Sequence, residues 1–167
     1  KKILLQCSID DFGEQNDYIR FPSKWQKINE NIQRAIANPN VYSSDLKIQI
    51  SITWQILNAF TILNLLDHFE RYQIGTIRIL SIPNSLDAKN LPRQAKLDII
   101  DRYTNSVHKD KVIHLINYLK LTLDYDSDPH DCVVFLEKLD KIRGTDWKKT
   151  FVELCDSINT FNRESEL

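Results

Sequence analysis

A chain of 167 residues is long enough to bury a substantial core in one domain. With 42% hydrophobic and 27% charged residues, its composition is that of neither a disordered nor a membrane-spanning chain. A net charge of −1 and a sequence pI of about 6.5 provide no global basic field, which ranks nucleic acid last among partners. No apolar run approaches the roughly 20 residues of a membrane span, so no membrane partner is expected. Cys7, Cys132 and Cys155 lack the short paired spacing from which ligands converge on zinc or an iron–sulfur cluster. No metal ligand is assigned. The scattered cysteines point to reduced thiols and a cytoplasmic location.

In chain order, Ile3-Leu4-Leu5 is the apolar run of a strand buried on both faces. Such a strand needs hydrogen-bonding neighbours, and with this one opening the sequence the expectation is a fragment. The run stops at Ser8-Ile9-Asp10-Asp11, where polar residues past a strand's carboxyl end face the usual ligand crevice of α/β proteins. Ser8 offers a hydroxyl, Asp10 a carboxylate and Arg20 a guanidinium that grips carboxylates with two parallel hydrogen bonds. Residue type alone favours a plain loop and a solvated Arg20. Ser23 is placed to cap a helix in which Trp25, Ile28, Ile32, Ala35 and Ile36 recur at helical spacing until Asn38-Pro39-Asn40. Trp25 reads as a core anchor.

Strict alternation from Leu46 to Ile56 predicts a strand, with Lys47, Gln49, Ser51, Thr53 and Gln55 on its polar face. A helix follows over 59–72, with His68 as a helix-end charge. Gly75 turns the chain into a third strand over 76–83. This βαβαβ alternation implies a parallel sheet with right-handed crossovers. Pro92 suits the first turn of a helix over 93–103. From Lys109 the pattern is helical: Val112, Leu115, Ile116 and Leu119, then Cys132, Phe135, Leu136 and Leu139, then Trp147, Phe151, Leu154 and Ile158. The acidic run 124–131 lacks the glycine and terminal glutamate of a calcium loop and reads as solvated. Gly144 stops one helix, and Thr145 or Asp146 caps the next. The expected divisions are 1–107, a helical extension over 108–160, and a fraying tail over 161–167.

Ser8-Ile9-Asp10, Gly13-Glu14, Asn16 through Trp25, and Asn31 together resemble the mid-barrel signature of radical S-adenosylmethionine (SAM) enzymes of the twitch-domain group. Asp11 stands where that pattern usually carries glycine. Leu91-Pro92, Lys96 and the segment from Leu139 to Gly144 with Asp146-Trp147 are similar to later parts of the same group. The resemblance implies an α/β fold, with three parallel strands of a partial (β/α) TIM-like barrel followed by an all-helical C-terminal tail. It implies that Ser8 and Arg20 hold the methionyl carboxylate of SAM, with Asp10 nearby and Gln55 reaching the SAM ribose or the substrate.

The chemistry implied is reductive cleavage of SAM by a 4Fe-4S cluster, yielding a 5′-deoxyadenosyl radical that abstracts hydrogen. The CxxxCxxC signature that binds the cluster is not in this sequence. The resemblance therefore assigns the cluster to a missing N-terminal half of the barrel, which becomes the expected partner, and this chain alone is expected to be inactive. The substrate is left open between a peptide and a small molecule. The alternative is a non-catalytic α/β interaction module derived from such a barrel.

Overall fold

The computed structural model describes residues 2–38, 45–125 and 128–165. Among them the chain is α/β, with a three-stranded parallel sheet in the order β1-β2-β3 and eight α-helices. It divides into two compact units, Lys1–Thr53 with Asn64–Arg78, and Trp54–Leu63 with Ile79–Leu167. The boundary expected near 107 falls inside the second unit.

In the first unit, β1 (Lys2–Ser8) pairs in parallel with β2 (Asp45–Trp54), Leu5 opposite Ile48 and Ser8 opposite Ser51. The alternation read in β2 is observed: Ile48, Ile50 and Ile52 are buried, while Gln49, Ser51 and Thr53 are half-buried. The expected two-sided burial of β1 is not. Ile3, Leu4 and Leu5 are 36%, 55% and 38% exposed, because β1 is an edge strand of this sheet and, among the described residues, pairs only with β2.

Between these strands lie α1 (Gly13–Ile19) and α2 (Trp25–Ala37), whose Ile32 and Ala35 are buried. The Trp25 N–H donates to Asp17 Oδ1, so Asp17, and not Ser23, satisfies the start of α2, and Ser23 Oγ is buried without a partner. Trp25 is half-buried and belongs to an aromatic row. Its ring meets Phe69 edge-on at 6.0 Å, and Phe12 stacks on His68 at 5.0 Å. His68, read as a helix-end charge, thus ends α3 (Ile62–His68) as a stacking partner. β3 (Gln73–Ile79) contains Gly75 in its interior, so this glycine is not the turn it was expected to be. A Cβ there would stand 2.8 Å from Cγ and Cδ of Gln49.

The second unit begins with a 3-10 turn (Ile56–Asn58) in place of a helix from Ala59, since Asn58 Oδ1 accepts from the Gln55 N–H at 2.8 Å and tightens the chain there. Its helices are α4 (Arg93–Thr104), α5 (Lys109–Leu121), α6 (His130–Arg143), α7 (Trp147–Thr150) and α8 (Val152–Ser165). Ile99, Leu115, Leu119, Leu136, Trp147 and Leu154 are among its buried side chains. Gly144 ends α6 at φ +68°, a conformation that favours glycine. Asp146 caps α7, accepting from the N–H groups of Lys148 and Lys149 at 3.1 and 3.3 Å. α8 runs through Ser165, so the tail expected to fray from 161 is helical as far as it is described. Residues 126–127 of the acidic run lie outside the described residues.

Candidate functional site

The polar loop after β1 forms because the ladder persists one step past the strand and is then replaced by side-chain bonding. The Ile9 N–H still donates to Ser51 O at 3.0 Å, and the next contact to β2 is made by a carboxylate: Asp10 Oδ1 accepts from the Thr53 N–H at 2.7 Å. Asp11 is buried and its Oδ1 accepts from the Phe12 N–H at 2.9 Å. Asp11 does not adopt a positive φ; the left-handed step falls at Gly13, φ +61°, where α1 begins. An aspartate is therefore tolerated where the resembling pattern carries glycine, because the turn needing conformational freedom lies two residues on.

α1 brings Arg20 back to the strand end. The Arg20 N–H donates to Asn16 O at 2.9 Å, and the guanidinium Nε lies 3.0 Å from Asp10 Oδ2. The Nε–H is not aligned with an acceptor, so the contact is an ion pair without a directed hydrogen bond. Its two sides differ in exposure: the Arg20 side chain is 31% exposed and that of Asp10 only 6%. Burying a carboxylate is costly unless it is paired and hydrogen-bonded. Asp10 has both an ionic partner and a backbone donor. Ser8, the last residue of β1, is exposed. Within the first unit the structure thus brings Asp10 and Arg20 into contact and leaves Ser8 two residues before them.

Gln55 falls in the second unit, at the start of the 3-10 turn, where it is buried with Oε1 unpartnered. Asn16 was not singled out by residue type. It is fully buried in α1, and both side-chain amide atoms lack a hydrogen-bond partner. Only its place inside the Asn16 to Trp25 match could have drawn notice to it.

The second unit also holds polar chemistry. The Trp54 Nε1–H donates to Tyr103 Oη at 3.0 Å, and that hydroxyl donates to Ala59 O at 2.5 Å. Tyr118 Oη donates to Asp87 Oδ1 at 2.6 Å, and Lys96 Nζ donates to Thr122 O at 2.7 Å, just past the carboxyl end of α5. Burial lowers the Lys96 ammonium to about 8, against the opposing pull of Asp124 and Asp87. Burial likewise raises the Tyr103 and Tyr118 hydroxyls, and pushes the Cys132 thiol up to about 12. A cavity of about 750 Å³ in this unit has Phe60, Arg102, Tyr125 and Glu153 in its walls. Its two arginines are paired, Arg93 to Asp124 at 3.5 Å and Arg102 to Glu153 at 2.5 Å. It is a groove of exposed ion pairs and holds none of the residues at the strand end. The strand end differs from it in having a buried carboxylate set behind a partly exposed arginine side chain.

Among the described residues no group of His, Cys, Asp or Glu side chains is arranged to hold a metal ion, and no helix is long and apolar enough to cross a membrane. No protein-family model, curated protein sequence or solved structure matches the chain.

Proposed function

We propose that this chain supplies part of the SAM and substrate site of a radical SAM enzyme, its three parallel strands being strands of a partial (β/α) barrel and its later helices the tail. The observation that carries the reading is local: Ser8, Asp10 and Arg20 stand at the carboxyl end of a parallel strand, and Arg20 keeps a partly exposed side chain there beside a buried carboxylate. The donor set fits the methionyl carboxylate of SAM, because a hydroxyl and a guanidinium are its ordinary partners. SAM would supply the organic radical that takes hydrogen from the substrate. The residues of this chain bind and orient; Arg20 neutralises the carboxylate and Ser8 donates to it.

A 4Fe-4S cluster does not fit the thiols present. Cys7 lies within β1, Cys132 is buried in α6, and Cys155 sits in α8. The cluster would be held by another part of the barrel. The exposed apolar edge of β1 favours a strand-bearing partner of that kind. It equally supports the second reading, an interaction module without catalysis.

Titration calorimetry with SAM separates the two. Under the enzyme reading, SAM binds the protein that carries this chain, and Arg20→Ala weakens binding by a hundredfold or more, with the fold intact by circular dichroism. Absence of SAM binding, or binding indifferent to Arg20→Ala, would leave the interaction module.

A further inference from the structure

We infer that Asp10 is a positioning residue, holding Arg20 ready for an α-amino carboxylate without touching that ligand itself. The inference deepens the SAM reading and rests on it. Both Asp10 oxygens are engaged within the protein: Oδ1 by the Thr53 N–H at 2.7 Å, Oδ2 by the Arg20 guanidinium at 3.0 Å. Its side chain is buried, whereas that of Arg20 is 31% exposed, so Asp10 lies on the protein side of the pair and Arg20 on the solvent side. The contact is made through Nε. A guanidinium held at Nε still has its two Nη atoms, whose shared edge can take a carboxylate with parallel hydrogen bonds. Because Oδ1 is tied to the backbone at the end of β2, the anchor for Arg20 is a fixed element and not another mobile side chain.

Ordering a long arginine before the ligand arrives removes part of the cost of binding. Two roles for Asp10 then give opposite signs. A carboxylate that merely competed with the ligand for Arg20 would, once neutralised, let the ligand bind more tightly. A carboxylate that positions Arg20 would, once neutralised, let the arginine wander and weaken binding.

The test is calorimetric titration of the full-length protein carrying this chain with SAM and with decarboxylated SAM, which keeps the sulfonium and the amine but lacks the carboxylate. Asp10→Asn is expected to weaken SAM about tenfold and leave decarboxylated SAM unchanged, while Asp10→Glu, which keeps a carboxylate, retains more of the preference for SAM. In an Arg20→Lys background, Asp10→Asn should have no further effect on SAM, because the group it positions is gone. Equal weakening of both ligands would mark Asp10 as a general structural residue and overturn the inference. So would unchanged or tighter SAM binding. A wild-type protein that does not prefer SAM over its decarboxylated form would instead overturn the SAM reading, and this inference with it.

Discussion

The first unit and the second both bury polar side chains, but they complete them differently. In the second, one set of donors and acceptors closes on itself, Trp54 to Tyr103 to Ala59, Tyr118 to Asp87 and Lys96 to the carbonyl beyond α5, while Gln55 Oε1 and Trp147 Nε1 are buried without hydrogen-bond partners. In the first, the stretch from Asn16 to Ser23 leaves the Asn16 amide and the Ser23 hydroxyl buried without partners, in the same segment as an arginine whose side chain is partly exposed. A completed network rigidifies a core, whereas an incomplete one lowers stability for as long as nothing completes it. Unpartnered buried atoms thus occur in both units, and what sets the first apart is that its own, at Asn16 and Ser23, lie in the same short segment as Arg20.

Tyr103→Phe should show the largest effect on stability. It strands the Trp54 N–H and the Ala59 carbonyl in a site where Tyr103 itself is almost wholly buried, and should cost about 2–3 kcal/mol in urea denaturation. A cost near zero would mean that the second unit's network is not the structural element described.

Next is the pH dependence that Lys96 confers. The folded chain releases this proton near pH 8 and the unfolded chain near its ordinary value of 10.5. Between those values only the unfolded state binds the proton, so this group's contribution to stability rises with pH across that window and is flat below it. Cys132, Tyr103 and Tyr118, whose protons the fold retains, act in the opposite direction above pH 9. Comparing wild type with Lys96→Met isolates the lysine: the difference in slope should be on the order of 1 kcal/mol per pH unit. Parallel slopes would show that Lys96 is not perturbed by burial.

The smallest effect is expected in the first unit and with reversed sign. Asn16→Leu removes two unpaired polar atoms from a fully buried position and should leave stability unchanged or raise it by up to about 1 kcal/mol. A loss of more than that by the same denaturation would show the Asn16 amide to be structural.

Elements with a strong apolar period were legible in the sequence. The alternation through Ile48, Ile50 and Ile52 is the strand β2, and the spacing of Val112, Leu115, Ile116 and Leu119 is α5. Gly144 and Asp146 also stand where their chemistry put them. What escaped was set by side chains bonding to distant backbone. α1, Gly-Glu-Gln-Asn-Asp-Tyr-Ile, has almost no apolar repeat and buries Asn16 with Tyr18. The start of α2 is satisfied by Asp17, eight residues upstream of the N–H it accepts from, which no local capping rule identifies. Likewise, the sequence offered Asp10 and Arg20 as two contacts for one ligand, while the structure pairs them with each other. Nothing in residue type distinguishes a carboxylate left open to solvent from one closed against an arginine of the same loop.

The close approach of Gln49 to Gly75 has a consequence for how the sheet could diverge among relatives. The two positions share one volume across neighbouring strands, filled now from β2. Position 75 could acquire a side chain only if the side chain at position 49 swung aside or became smaller, so the pair should tend to vary in concert, large with small.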